Sequence, residues 1–147
     1  MSGAHGLRAF RQRLQRDLAS APKLLVGFLD GATYPDGTRV AAVAAYNEYG
    51  DPACNRPPRP FMRQTIEHER DGWGKTLAAG LRMNNYKAEA GLGALGEDIA
   101  GAIRETITQF DSPPLSPCTI ARKGFAKPLI DTGMMLRSVS WELDDGN

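Results

Sequence analysis

Leu7, Phe10, Leu14 and Leu18 recur at i, i+3, i+7 and i+11, which is one face of a helix and predicts an amphipathic segment over about residues 6–20. Arg8, Arg13 and Arg16 fall elsewhere on that wheel. They read as a solvated face, or as a surface for an acidic partner or DNA phosphate. Pro22 closes the helix, and KLLVGFLD (Lys23–Asp30) reads as a strand followed by the turn-rich hairpin loop DGATYPDGT. In RVAAVAAYNEYG (Arg39–Gly50) the β-branched start suits a strand. The alanines and the Tyr46-to-Tyr49 spacing favour a short helix that stops at Gly50.

Pro57, Pro58 and Pro60 then stiffen a loop that can be neither helix nor central strand. From Phe61 the apolar positions Phe61, Thr65, Ile66, Trp73 and Leu77 make an imperfect helical stripe, with Gly72 and Gly74 expected to interrupt or bend it. Leu95, Ile99, Ile103, Ile107 and Phe110 make a cleaner one and predict a core helix over about residues 93–110. Glu97 and Asp98 suit its N-terminal dipole. A second Pro-rich loop, basic at its end, runs over about residues 111–128, with Thr119–Lys123 expected to form a short helical turn. Met135, Arg137, Val139, Trp141 and Leu143 share one parity, and the alternation over Ser138–Glu142 predicts a half-buried strand. Asp144 and Asp145 read as a solvated tail. No internal repeat is visible. These elements predict one α+β domain over residues 1–147: a small antiparallel or mixed sheet packed against two or three helices, with long Pro-rich loops at about 50–60 and 111–128.

Composition narrows the function classes. A chain of 147 residues with 41% apolar and 24% charged residues can bury a real core. A formal net charge of +1 gives no general pull toward nucleic acid or an anionic membrane. Cys54 and Cys118 are too few for a disulfide framework and belong to no C-x-x-C pair, so free thiols in a reducing cytoplasm are expected. His5 and His68 join no cluster of metal-ligating residues, so no metal is expected. The Arg-rich, amphipathic start has a transit-peptide composition. It reads instead as a surface helix because an apolar strand follows directly, and it lacks the apolar core of a secretory signal. No stretch approaches the roughly 18 apolar residues of a membrane span.

Two motifs suggest chemistry. Gly91, Gly93 and Gly96 in GLGALGEDIA spell G-x-G-x-x-G, the spacing that cradles a dinucleotide pyrophosphate at a helix N-terminus. That site needs a buried strand running into the first glycine, and RMNNYKAEA (Arg82–Ala90) is polar. The motif therefore reads as a flexible loop and a helix start, with no cofactor. Asp131-Thr132-Gly133 matches the D-T-G of aspartic proteases, in which two such triplets share a proton. The triplet belongs between strands of a small β-barrel, and this chain is mostly helical. The ordinary reading is a turn in which Asp131 accepts backbone N–H bonds and Gly133 takes positive φ. No nucleophile elbow and no cleft-flanking pair of acids is apparent. No enzyme is expected.

A longer pattern points elsewhere. SPPLSPCTIARKGFAKPLIDTGMMLRSVSWEL carries Pro114, Leu115, Pro117 and Thr119, then Lys123 and Gly124, then Lys127 through Gly133, with Leu136 and Ser138 beyond. AAYNEYGDPACNRPPRPFMRQTI carries Tyr46, Glu48, Tyr49 and Gly50, then Pro58, Arg59, Pro60 and Phe61. In this order the two blocks resemble the neck, or tail-completion, family of small structural proteins that join head to tail in tailed bacteriophages. They cover about a third of the chain. The resemblance implies a non-enzymatic virion component at the head–tail junction or tail end, assembled in the host cytoplasm. It implies a homo-oligomeric ring, a hexamer in preference to a dodecamer, that meets connector or adaptor and tail-tube proteins and lets genomic DNA pass without sequence-specific binding. A tail-tube or other minor tail protein is the alternative within the virion, and an aspartic-protease-like enzyme is the alternative outside it. Rings need two different patches per subunit. Arg56, Arg59, Phe61, Arg122, Lys123 and Lys127 are the candidate interface or lumen residues. For any one of these charges, simple solvation is an equal reading.

Overall fold

The chain closes on itself at its ends. Lys23–Gly27 (β1) pairs antiparallel with Ser140–Asp144 (β2), in a register that sets Lys23 opposite Asp144 and Gly27 opposite Ser140. This arrangement comes from a computed structural model that describes residues 2–29, 31–115, 117–123, 129 and 132–145. Between and before the strands lie Ser2–Ala19 (α1), Val40–Tyr49 (α2), Phe61–Met83 (α3), Ala88–Gln109 (α4), Pro117–Lys123 (α5) and Met134–Arg137 (α6). The class is α+β, with a two-stranded antiparallel sheet and a predominance of helix.

The organising unit is the hairpin of α3 and α4, joined by a turn in which Asn85 and Tyr86 take positive φ. The β pair lies on α4, and α2 packs on α6 and α3. The core forms where these meet: Val40 and Ala44 from α2, Phe61 from α3, Ala100, Ile103 and Ile107 from α4, with Phe110, Leu129, Met135 and Val139. The apolar stripe read on α4 is thus the face that turns inward. A polar contact sits within it. Thr106 donates its hydroxyl to Ala102 O at 3.0 Å, and the fully buried Thr65 hydroxyl lies 2.8 Å from both Phe61 O and the Thr106 oxygen, so its one proton is shared between those two acceptors. Both of these hydroxyls are therefore partnered, as burial favours.

The glycine-rich stretch differs from expectation. Gly91, Gly93 and Gly96 lie inside α4, which begins at Ala88. No strand runs into them, and they form no phosphate loop. They are instead a flat face on which other elements rest. A Cβ on Gly91 would stand 2.7 Å from Cδ2 of Leu81 on α3, and one on Gly96 would stand 2.8 Å from the Trp141 indole and 2.9 Å from Leu24. Glu97 and Asp98 are accordingly in the middle of a helix rather than at its dipole. Glu97 accepts the Trp141 indole N–H at 2.7 Å, which fixes β2 on α4.

Other corrections are smaller. α3 runs unbroken through Gly72 and Gly74, which lie on its exposed side with no other atom within 4 Å of a would-be Cβ. Each glycine costs about 1 kcal/mol of helix propensity, less than the packing of α3 on α4 returns. β1 ends at Gly27, short of Asp30. β2 starts two residues later than the alternation suggested and takes in Asp144, which the pairing with Lys23 draws out of the tail. The single turn α6 fills the gap before it. The loop after β1 makes the expected hairpin turn. Thr33 and Arg39 bridge across it, and the Asp36 carboxylate accepts the Thr38 N–H at 2.9 Å, which holds the carboxyl below its ordinary range.

Candidate assembly cleft

The first resemblance block is built around Glu48. Its side chain is buried at the end of α2 and reaches the start of α3. One carboxylate oxygen accepts the Met62 N–H at 2.9 Å; the other accepts the Arg63 N–H at 3.2 Å and Arg63 Nε at 2.8 Å. Arg63 also donates to the Glu48 carbonyl and stacks over Tyr49, 5.4 Å from the ring centroid. The remaining first-turn amides, Phe61 and Gln64, donate to Arg59 O and Pro60 O. Every orphan donor of the α3 N-terminus is thus satisfied, two of them by a carboxylate from another helix. The negative charge meets the positive helix end, so this is a cap supplied from 14 residues away.

Glu48 and Gly50 together shape the loop that follows. Gly50 sits at φ 79, and a Cβ there would lie 2.9 Å from both Arg56 O and Pro58 N. Only glycine satisfies both the conformation and the space. Asp51 and Arg56 exchange two backbone hydrogen bonds, at 2.9 and 3.0 Å, around a 3₁₀ turn at Pro52–Cys54. The Asp51 carboxylate beside Cys54 pushes the thiol pKa up. Arg59 N–H then donates to Asn47 O at 2.6 Å, pinning the loop back on α2.

This pin turns Arg59 inward. The residue is only 9% exposed, and its Nε has no hydrogen-bond partner among the described residues. Burial, with the Arg56 charge nearby as the smaller cause, lowers the guanidinium pKa. Arg59 and Arg56 line a cleft of about 990 Å³. Its other walls are Tyr34 and Asp36 from the hairpin turn, Tyr46 from α2, Pro114 and Leu115, and Leu129 with Thr132 to Met135. The two blocks that carry the phage resemblance, separated by more than 50 residues in sequence, face each other across this one cleft. No family model matches this chain, and no curated protein or solved structure does either.

The candidate residues separate accordingly. Arg56 stays exposed on the rim, and Arg59 lies at the wall. Phe61 is a correction: it is 0% exposed and packs edge-on against Phe28 at 6.1 Å, so it is core and offers no side chain to a neighbour or a lumen. Arg122 and Lys123 close the backbone of α5, with side chains outside the described part, and Lys127 lies outside the described residues. So does Asp131. Gly133 takes φ 73 and the Thr132 hydroxyl accepts the Met134 N–H at 3.3 Å, so the described part of the D-T-G opens a helical turn, away from any barrel strand. Among the described residues no group of His, Cys, Asp and Glu could hold a metal ion, and no helix is long and apolar enough to cross a membrane.

Sequence reasoning missed Glu48 as a cap and Tyr34 as a wall. Local capping signals lie within a few residues of the helix start, whereas Glu48 acts across a loop. Its place in the aromatic-x-Glu-aromatic-Gly pattern is the one signal that pointed to it.

Proposed function

We propose that this chain is the subunit of a homo-oligomeric ring at the head–tail junction of a tailed phage, where it completes the tail or joins it to the head and lets DNA pass. The observation that carries the reading is the convergence of both resemblance blocks on one cleft. Patterns that matched by chance have no reason to share a surface. A helix and loop pinned by Glu48, Gly50 and Arg59 also provide a rigid edge, which lowers the ordering cost of assembly.

The N-terminal helix supports the same reading. Leu7 is 71% exposed and Leu18 is 45% exposed, although they belong to the apolar stripe of α1. Phe10 meets Tyr86 edge-on at 5.0 Å, the one aromatic contact of that helix. An amphipathic helix whose apolar face stays open in the isolated subunit is suited to burial in an assembly. Near-zero net charge suits a conduit, since a strongly basic lumen would hold phosphates and stall passage.

The test is mass by light scattering across a concentration series, with negative-stain images. Closed rings with a channel wide enough for duplex DNA are expected, six-fold in preference to twelve-fold. A compact two-fold dimer that does not change with concentration overturns the reading. So does a monomer that fails to bind purified connector and tail-tube proteins.

A further inference from the structure

The cleft and the opposite face of α4 carry complementary charge. On α4, Asp98, Gly101 and Glu105 fall at i, i+3 and i+7, on the side away from Ala100, Ile103 and Ile107. With Glu69 of α3 and Glu97 they line a shallow depression that contains no basic residue. Glu97 is already engaged by Trp141 and by Arg104 at 3.7 Å. Glu69, Asp98 and Glu105 are exposed and make no ion pair among the described residues, although Glu105 accepts the Gln109 side-chain amide at 2.8 Å and Asp98 the Thr76 hydroxyl at 3.4 Å. The cleft has the opposite need. Arg59 is buried with no partner for its Nε among the described residues, and Arg56 raises the local positive charge. Among the described residues Asp36 is the one acid lining it, and its carboxylate accepts the Thr38 N–H.

We propose that the Arg59 cleft receives carboxylates of the Asp98–Glu105 face from a neighbouring copy of this chain. The inference rests on the ring reading above and supplies its subunit contact. The cleft and the acidic face share no residue. A contact between two different patches is heterologous, the type that forms a ring when its rotation closes and a filament when it does not. Two arginines at one cleft wall attract an opposite charge, and a fork of N–H donors is matched by a carboxylate in two-point geometry. Arginine and tyrosine in a recess walled by Leu115 and Leu129 are also the residue types that dominate protein–protein contacts. Docking would set a carboxylate beside Arg56 and Arg59 at the cleft wall.

The test uses the full chain and reads assembly by light scattering and folding by thermal melting. Arg56→Glu, on the exposed rim, and the pair Asp98→Lys with Glu105→Lys should each raise the concentration for assembly by about tenfold or more, the size of effect that close interfacial charges show. Mixing the two variants should restore assembly as alternating rings, because native patches meet at one contact and patches of reversed charge meet at the next. Arg59→Met removes the charge and its buried Nε, which has no partner among the described residues, and keeps the apolar stem. Its melting temperature should hold or rise while assembly weakens, which a merely structural role for Arg59 does not predict. Wild-type rings that persist unchanged in all three variants overturn this contact and leave the ring reading standing. Inorganic phosphate that raises the melting temperature through Arg56 and Arg59, with no effect of the variants on assembly, makes the cleft a small-anion site and also overturns the proposal. A wild-type chain that forms no ring under any condition overturns both.

Discussion

Glu48→Ala tests whether the α2–α3 junction is held as described. The substitution deletes the acceptor of two first-turn amides, Met62 N–H at 2.9 Å and Arg63 N–H at 3.2 Å, and of Arg63 Nε at 2.8 Å. Removing an ordinary N-cap acceptor costs about 1 kcal/mol, and a hydrogen bond to a charged group is worth about 1.5–3 kcal/mol. The Arg63 side chain is more than half exposed, so its ion pair adds at most about 1 kcal/mol. The two amide bonds to the buried carboxylate dominate, and the expected loss is about 3 kcal/mol. For a domain of this size that is a fall in Tm of about 6–12 °C. Glu48→Gln keeps one acceptor oxygen but aims an NH₂ group at a donor, for a loss of about 1–2 kcal/mol. Arg63→Ala should lose less than about 1 kcal/mol. Urea denaturation followed by circular dichroism orders the three variants. If Glu48→Ala lies within about 0.5 kcal/mol of the native chain, the level of an inconsequential surface change, the cap is not what holds α3 in place.

Three further outcomes follow from the geometry. Gly72→Ala, in open space on α3, should gain about 0.5–1 kcal/mol from helix propensity, whereas Gly96→Ala should lose about 1 kcal/mol net and shift the emission of Trp141, against whose ring the new methyl is pressed; equal signs in thermal melts would refute the packing account. Asp51→Asn should speed alkylation of Cys54 at pH 8, because it removes the neighbouring carboxylate that keeps the thiol protonated; an unchanged rate, measured by mass spectrometry, counts against it. Asp36 has a lowered pKa in the folded turn, so the support it gives is present above the ordinary carboxylate pKa of about 3.8 and is lost as pH falls below that value; an NMR titration should show the Thr38 amide signal moving with the Asp36 carboxylate, and Asp36→Asn should abolish that dependence.

How much was legible in the sequence depended on whether the cause was local. The stripe from Leu95 to Phe110 specified a buried helix face by spacing alone, because a 3.6-residue period leaves few other ways to bury those side chains. α1 was legible for the same reason, α2 from its alanines and the stop at Gly50, the strand from Lys23 from its short apolar run after Pro22, and Pro57, Pro58 and Pro60 excluded regular structure by removing donors. Gly50 and Gly133 were readable as turn residues, since both take positive φ. The G-x-G-x-x-G spacing was legible only as a pattern. What decides it is Leu81 and Trp141, which come against Gly91 and Gly96 from elements before and after α4 in the chain. Helix propensity alone would end the helix at the glycines, but close approach of neighbours rewards the missing Cβ.

The cleft lay further from the sequence still. Arg59 and Arg56 read as two loop cations of equal standing, and the backbone pin from Arg59 to Asn47 makes one a buried wall and the other an exposed rim. Phe61 read as part of a recognition loop, and packing against Phe28 makes it core. The sequence by itself determined which helices form, the α+β class and which residues carry charge. Tertiary structure decided which charges lose their water, because burial depends on what the rest of the chain lays over a residue, and no local pattern encodes that.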